Sequence, residues 1–370
     1  MKKILIFDRM DSKKFPGGDT VQISAIANYL KEKGHDVKIT SDLFTDLTDM
    51  DVVFIFNLTN PIEAYLQAKI ANKYEKPFIL FPVYWNLDEL KIPYWSYKSI
   101  LKNILPNWVK SLIRSLNFGF SHKAILKKLK ISNFQFCSSR KMTQYTLDHA
   151  KYVCPNSEAE LNYLLSEFPI EGLKEKCRIV FNGVDYKKVK DSLSYNERLK
   201  TDLPERYICC IGGIGPRKNQ LNLVKAFNGF SNTSLLIIGR VARKHETYFE
   251  KVKRVAGKNV IFLDHVPQHE VFKIMANSIG HIQPSYIETP GLASLEAASL
   301  GRPIVVSDVP PVKEYFQKDA LYCNPYEIKS IRRCIEKLIA MPTQSNKKLQ
   351  DNIRDQYDWS VVLKKIDSLL

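Results

Sequence analysis

Short apolar runs alternate with helical patterns along most of the chain, and this alternation restricts the fold more than any other feature. In the first half, the runs KILIF, DVKIT, DVVFIF and PFILFPV are separated by loops and by segments with helical periodicity. A second series begins at YICCIGGIG and continues through SLLIIG, NVIFLDHV, IGHIQPS and PIVVSD. Strands that alternate with helices in this way form parallel sheets with helices on both faces. The pattern therefore predicts an α/β protein with two doubly wound, Rossmann-like domains.

The length of the chain supports the same division. A chain of 370 residues exceeds the size at which a single hydrophobic core usually stops growing. We assign residues 1–185 to a first domain, 186–203 to a linker, 204–355 to a second domain and 356–370 to a terminal helix. Two domains of this kind bind ligands at the carboxyl ends of their strands, so we expect a cleft between the two sheets to hold the site.

The stretch PSYIETPGLASLEAASLGRP, residues 284–303, carries the strongest local signal. Thr289 is a suitable N-cap, and Pro290 suits the first helical position, where its missing N–H is no loss. The first amides of the predicted helix have no partner within it, and together with the helix dipole they form a positive pole that suits a phosphate. These amides belong to Gly291, Leu292 and Ala293.

Two glutamates lie on either side of this helix start. Glu288 precedes it in the loop, and Glu296 lies about 9 Å further along the helix axis. Carboxylates bind phosphate poorly but accept hydrogen bonds from sugar hydroxyls well. The order therefore fits a nucleotide sugar, with its sugar, diphosphate and ribose in a row. A capped helix with one solvent-exposed glutamate explains the same residues, and this stretch alone does not separate the two interpretations.

The remaining composition excludes several classes of protein. Seven cysteines without C-x-x-C spacing predict reduced core residues and no zinc site. The N-terminus has a basic start but only a four-residue apolar run, and no apolar run approaches 18 residues, so we expect a cytoplasmic protein without a membrane span. The DMD at 49–51 has the spacing of a metal-binding pair, but it precedes a strand instead of following one, so we expect no metal there.

The net charge of +16 is concentrated in one basic tract. Residues 90–147 contain eleven Lys and Arg and no Asp or Glu. Within a basic amphipathic segment at about 91–141, SILKNILPNWVKSLIRSLN places large apolar residues on one helical face and basic residues on the other. This pattern is typical of a helix at an anionic membrane surface; a helix packed on the domain core with a solvated basic face also explains it. The candidate membrane or acceptor face comprises Lys102, Trp108, Lys110, Arg114, Lys127 and Lys128.

Taken together, these motifs resemble those of glycosyltransferase family 4, whose retaining enzymes have the two-domain GT-B fold. PSYIETPGLASLEAASLGRP is similar to the family signature. The other matching motifs, in order, are PGGDTVQISAIANYLKEKGHDV, VFNGVD, IGGIGPRKNQLNLVKAF, LLIIGR, FLDHVP and YDWSVVLKKIDSLL. The resemblance covers nearly the whole chain except the basic tract, and several motifs in the right order are far more specific than one.

The resemblance implies a role for each candidate residue. In the family, the position of Glu288 binds hydroxyls of the donor sugar, and that of Glu296 binds the nucleotide ribose. Arg217 and Lys218 match the basic pair that stabilises the departing diphosphate. The remaining positions expected to bind the donor are Gly291, Leu292, Thr289, Gly213, Gly17 and Gly18.

The resemblance also implies a reaction. The family favours front-face attack in which the leaving phosphate accepts the proton, so we expect no protein nucleophile, no metal and no cofactor. The expected reaction moves a hexose-type sugar from a nucleoside diphosphate sugar to a lipid-linked glycan in bacterial surface polysaccharide synthesis. We favour UDP over GDP as the nucleotide of the donor, and we expect the reaction at the inner face of the plasma membrane. Where the family often has a histidine after the fourth strand, this chain has Tyr84 and Trp85, which leaves the donor sugar open.

Two alternatives remain at this level. A GT-B protein that binds or epimerises a sugar nucleotide would need the same site. A basic nucleic-acid-binding protein would explain the charge, but the sequence carries no recognised nucleic-acid module, so we expect no nucleic acid as a partner.

Overall fold

The computed structural model describes residues 1–14, 17–85, 138–194, 202–242, 244–264, 266–342 and 345–370, together with single positions between 106 and 127. These residues form two compact units. The first contains the described residues up to Phe181 together with Leu363–Leu370, and the second contains Asn182–Val362. The boundary lies inside the VFNGVD motif, before the predicted end of the first domain at 185.

The first unit is built on a five-stranded parallel sheet with the order β2-β1-β3-β4-β5. Its strands are β1 (Lys3–Phe7), β2 (Asp36–Thr40), β3 (Val52–Phe56), β4 (Phe78–Phe81) and β5 (Tyr152–Val153). Its described α-helices are α1 (Gly18–Glu32), α2 (Pro61–Lys73), α3 (Ser139–His149) and α4 (Glu158–Glu167). Every residue of β3 and β4 is buried, as expected of strands that helices cover on both faces.

The second unit is built on a six-stranded parallel sheet with the order β11-β10-β9-β6-β7-β8. Its strands are β6 (Tyr207–Ile211), β7 (Ser234–Ile238), β8 (Val260–Leu263), β9 (Gly280–Gln283), β10 (Ile304–Ser307) and β11 (Leu321–Cys323). Its described α-helices are α5 (Tyr186–Ser194), α6 (Gln220–Phe227), α7 (Glu246–Val255), α8 (Gln268–Asn277), α9 (Leu292–Ser299), α10 (Pro310–Phe316), α11 (Ile328–Ala340), α12 (Lys347–Tyr357) and α13 (Trp359–Val362). Two parallel sheets with intervening helices confirm the predicted α/β class.

Each sheet has one point at which the chain reverses the direction of sheet growth. In the first sheet the reversal lies between β1 and β3, and in the second it lies between β6 and β9. The loops that follow such neighbouring strands diverge and leave a crevice at the carboxyl edge of the sheet. The loops after β6 and β9 are therefore the first place to look for a ligand site in the second unit.

Two predicted segments differ in detail from the structure. Residues 186–194, the start of the predicted linker 186–203, form α5, which packs on α8 and α9. The predicted single helix 356–370 is instead divided into the end of α12, the short α13 and a 3-10 helix, Leu363–Leu369. Asp358 interrupts it because its extended backbone ends α12.

The last eight residues belong to the first unit. There the hydroxyl of Tyr29 donates to Asp367 Oδ2 at 2.8 Å, and Lys365 Nζ donates to the backbone oxygen of Ile179 at 3.1 Å.

Most of the predicted membrane or acceptor face lies outside the described residues. Lys102, Trp108, Lys110, Arg114 and Lys128 lie outside the described residues, whereas Lys127 is helical and exposed. Of the helices that the structure describes, none combines the length and the apolar character needed to cross a bilayer.

Candidate functional site

The loops after β6 and β9 are fixed to each other at the reversal point of the second sheet. The loop after β6 ends in a 3-10 turn, Pro216–Lys218, and the backbone oxygen of Arg217 accepts a hydrogen bond from the Tyr286 N–H at 2.9 Å. Asn219 follows the turn with φ 60°, a left-handed conformation that asparagine tolerates better than most residues. Its buried amide donates to the backbone oxygen of Pro284 at 2.9 Å. These contacts bring the predicted basic loop against the predicted carboxylate.

The centre of this site is an ion pair between Lys218 Nζ and Glu288 Oε2. The two side chains expose only 17% and 8% of their surface. The hydroxyl of Ser285 donates to the same carboxylate oxygen at 3.1 Å, and the amide of Gln283 donates to that hydroxyl at 3.0 Å. Glu288 is therefore held by one cation and one hydroxyl.

The charge of Glu288 is set by these neighbours. Burial disfavours its ionised form, but the positive charges of Lys218 and Arg217 and the hydrogen bonds from Lys218 and Ser285 outweigh burial and hold its pKa below the ordinary value. An ionised carboxylate only accepts hydrogen bonds. Glu288 is thus a hydrogen-bond acceptor at neutral pH.

The helix after this carboxylate begins later than the sequence predicted. Gly291 is the N-cap, with φ 80°, and Leu292 is the first residue of α9. Thr289 is therefore not the N-cap, and Pro290 is not the first helical residue. A side chain at this position would be crowded, because a Cβ at Gly291 would lie 3.2 Å from Glu288 Cγ and 3.3 Å from Ser294 Oγ. The chain turns through Gly291 with a positive φ before it enters the helix, so Glu296 lies little more than one turn inside α9.

Glu296 is half-buried on α9. Burial raises its pKa to about 7, while a hydrogen bond from Gln268 and the positive charge of Lys188 favour its ionised form. The amide nitrogen of Gln268 lies 3.4 Å from Glu296 Oε1. A carboxyl group that titrates near neutrality at a helix surface is a candidate for ligand binding.

Close backbone approach explains the glycines in this region. Gly239, which follows β7, has φ 145°, and a Cβ there would lie 2.3 Å from the backbone oxygen of Gly212. The predicted donor-binding Gly213 lies beside this contact, where a Cβ on it would be 3.7 Å from the backbone oxygen of Arg240, an ordinary van der Waals distance. Gly239 therefore lets the loops after β6 and β7 touch.

The two predicted glycines of the first unit lie at the start of α1. Gly17 is the N-cap, and Gly18 is the first residue of the helix. Next to them, Arg9 pairs with Asp19, and the amide of Asn57 donates to Asp19 Oδ2 at 3.0 Å. This network joins the loops after β1 and β3 at the reversal point of the first sheet. It was not foreseen from the sequence.

The sequence also missed the residues that hold the second-unit site together. Gln283, Ser285 and Asn219 are buried polar residues, with exposures of 3%, 0% and 2%. One signal was available, because IGHIQPS is an apolar strand that turns polar at its carboxyl end, where the ligand-binding edge of a parallel sheet lies. No comparable pattern in the sequence predicted the contact between Gln268 and Glu296.

The protein consists of two α/β units, and a basic loop meets a buried carboxylate at the reversal point of the second sheet. These features define a GT-B protein. Solved structures agree in fold along the whole chain. Sucrose-phosphate synthase from Thermosynechococcus elongatus gives a TM-score of 0.72 at 13% identity, covering 100% of this chain and 98% of that one. Anabaena Alr3699/HepE in complex with UDP and glucose gives 0.68 at 13% identity, covering 100% and 99%.

The family follows from the sequence comparison. Residues 191–356 match the family model described as Glycosyl transferases group 1, so the chain carries a domain of that glycosyltransferase family on a GT-B fold. O-antigen chain mannosyltransferase RfbU of Salmonella typhimurium is 29% identical over 177 residues, 46% of this chain and 49% of that protein. O-antigen chain mannosyltransferase B of Escherichia coli is 28% identical over 131 residues, 34% of each chain. The matched region thus spans about half the length of RfbU, and a third of the second relative. The resemblance found in the sequence is confirmed for the fold and, over residues 191–356, for a glycosyltransferase domain.

Proposed function

We propose that this protein transfers a hexose-type sugar from a nucleoside diphosphate sugar to a glycan acceptor in bacterial surface polysaccharide synthesis, with retention at the anomeric carbon. The observation that carries the proposal is the buried Lys218–Glu288 pair, which lies just before the start of α9. The relatives named as O-antigen mannosyltransferases support this class of acceptor and make mannose the first sugar to test. HepE bound to UDP and glucose supports a nucleoside diphosphate donor.

Lys218 and Arg217 would stabilise the leaving group. When the bond between the sugar and the diphosphate breaks, negative charge develops on the β-phosphate, and fixed positive groups that face it lower the barrier. An ammonium group has three N–H donors, so Lys218 can keep its bond to Glu288 while it donates to phosphate. The first amides of α9, from Leu292 and Ala293, would add to the same positive field.

Glu288 would position the donor sugar instead of attacking it. Its ionised oxygens accept hydrogen bonds from sugar hydroxyls and fix the anomeric carbon relative to the phosphate. The acceptor hydroxyl then attacks from the face that the diphosphate leaves, and a phosphate oxygen takes its proton. No protein nucleophile is required, and Lys218 and Arg217 provide the positive charge, so we propose that no metal is needed.

The membrane part of the proposal rests on the basic segment. Leu116, which belongs to its predicted apolar face, exposes 36% of its surface, and Lys127 is exposed as well. Both features suit a surface that contacts anionic lipid, and we propose a lipid-linked acceptor there. Flotation with liposomes that contain anionic lipid tests this, and absence of binding at low salt would refute the membrane role.

Sugar transfer tests the whole proposal. Purified protein is incubated with UDP and GDP conjugates of glucose, galactose and mannose, with lipid-linked acceptors and a metal chelator, and the anomeric configuration of the product is read by NMR. We expect Lys218→Met to lower kcat by about a hundredfold or more, as loss of a group that stabilises transition-state charge does. Lys225→Met, which changes an exposed lysine on α6, is the matched control. Epimerised donor without transfer would favour the alternative function.

A further inference from the structure

Three side chains on three helices form a chain of hydrogen bonds that ends at Glu296. Lys188 Nζ on α5 donates to Gln268 Oε1 on α8 at 2.6 Å. Gln268 Nε2 then donates to Glu296 Oε1 on α9 at 3.4 Å. The three helices pack against one another in the second unit. The position of each side chain is thus tied to a different helix of one cluster.

Lys188 decides which way the amide of Gln268 faces. An ammonium group only donates hydrogen bonds, so the amide oxygen must face Lys188, and the NH2 group must face Glu296. Among the residues that the structure describes, none donates to the other carboxylate oxygen, Oε2 of Glu296. One oxygen is therefore tethered, and the other is left to accept a hydrogen bond from a ligand.

We propose that Gln268, oriented by Lys188, is a positioning residue that aims Glu296 at the adjacent hydroxyls of the nucleotide ribose and so sets the preference for ribonucleotide over deoxynucleotide. This inference rests on the proposed function, in which Glu296 binds the ribose. A carboxylate receives two neighbouring hydroxyls well only when its plane is fixed. The tether from Gln268 fixes that plane before the ligand arrives and lowers the entropy lost on binding.

The exposure of these residues separates a role in binding from a role in folding. Lys188 and Gln268 are both exposed, and α5 and α8 bury other residues, among them Val189 and Phe272, against the unit. Exposed polar pairs contribute little to stability. Loss of the Gln268 amide is therefore expected to change nucleotide binding and to leave thermal unfolding of the free protein almost unchanged.

The test compares ribonucleotides with their deoxy analogues by isothermal titration. UDP and GDP are titrated into the full chain in parallel, together with 2′-deoxy-UDP and 2′-deoxy-GDP. The variants are Gln268→Ala, Lys188→Ala and Glu296→Gln. The matched controls are Gln356→Ala, an exposed glutamine on α12, and Lys187→Ala, the exposed neighbour of Lys188.

We expect Gln268→Ala to weaken ribonucleotide binding by about three- to tenfold, the effect of one hydrogen bond, and to weaken deoxynucleotide binding less, because only one of the two hydroxyls remains there. Lys188→Ala should have a smaller effect of the same kind, and both controls should bind as the wild type does. Equal weakening for both sugars would make Gln268 a structural residue and overturn the inference.

Two other outcomes separate this inference from the proposed function. If Glu296→Gln loses ribonucleotide affinity while Gln268→Ala does not, the inference is wrong and the ribose role of Glu296 stands. If Glu296→Gln binds as the wild type does, the ribose role of Glu296 is refuted and the inference falls with it. If no nucleotide binds the wild type, the proposed function is refuted as well.

Discussion

Replacing Lys218 with methionine tests the physical core of the site, the buried ion pair. The change keeps most of the side-chain volume but leaves Glu288 with an exposure of 8% and without its main counter-ion. Removal of one partner from a buried ion pair costs about 3–5 kcal/mol, because the remaining charge stays desolvated. Ser285 still donates to the carboxylate at 3.1 Å, so the lower end of that range, about 3 kcal/mol, is the expected loss.

The size of the effect decides between a buried and a solvated pair. About 3 kcal/mol corresponds to a fall in Tm of roughly 6–12 °C for a unit of this size. The measurement is the midpoint of thermal unfolding of the full chain, with urea titration for the free energy. In the double variant Lys218→Met with Glu288→Gln, most of the loss should be recovered, with a coupling energy of about 2 kcal/mol or more. A loss below about 1 kcal/mol with additive effects would refute the reasoning, since solvated pairs behave in that way.

The pH dependence of the same variant gives a second readout. In the wild type the pKa of Glu288 is held below its unfolded value, so its contribution to stability is present above that value and is lost as the pH falls through the folded pKa. Without Lys218, burial becomes the dominant influence and raises the pKa. The variant should therefore lose stability as the pH rises above the pKa of the unfolded chain, whereas the wild type loses stability as the pH falls.

Three further predictions concern other parts of the two units. Gly239→Ala places a Cβ 2.3 Å from the backbone oxygen of Gly212 at φ 145°, so we expect a loss of about 3 kcal/mol or more in urea unfolding, and near wild-type stability would contradict the close approach. The pKa of Glu296 is raised to about 7 in the folded protein, so the free energy of unfolding should fall as the pH rises from the pKa of the unfolded chain to about 7. A Glu296→Gln variant with the same pH dependence of stability would refute the raised pKa of Glu296. Asp19→Ala, at a position with 9% exposure, should cost about 3 kcal/mol, whereas Asp11→Ala, at 43% exposure, should cost under about 1 kcal/mol in the same assay.

Several elements of the fold were available from the sequence because their physical cause is local. The strands β3 and β4 are apolar at every position, since helices cover a parallel sheet on both faces and each strand must be buried on both sides. The start of α4 has an equally local cause, because Ser157 is an N-cap residue whose hydroxyl accepts a hydrogen bond from the Glu160 N–H at 3.0 Å.

The start of α9 shows where local reasoning fails. Thr289 and Pro290 form a good local start signal, yet the helix begins at Leu292. Gly291 has φ 80°, which lies outside the helical range, so the helix starts only after it. The motif therefore predicted a helix in the right region and misplaced its first residue.

By itself, therefore, the sequence determined the α/β class, the two parallel sheets and the resemblance to the family. Burial patterns and short motifs depend on residues that are close together in the sequence. Only the tertiary structure decided which side chains meet. Lys218 and Glu288 are 70 residues apart, and Lys188 and Gln268 are 80 apart, so no local pattern records either contact. Strand order and helix packing bring these residues together, and the pKa of each carboxylate follows from the burial and the charges that this packing imposes.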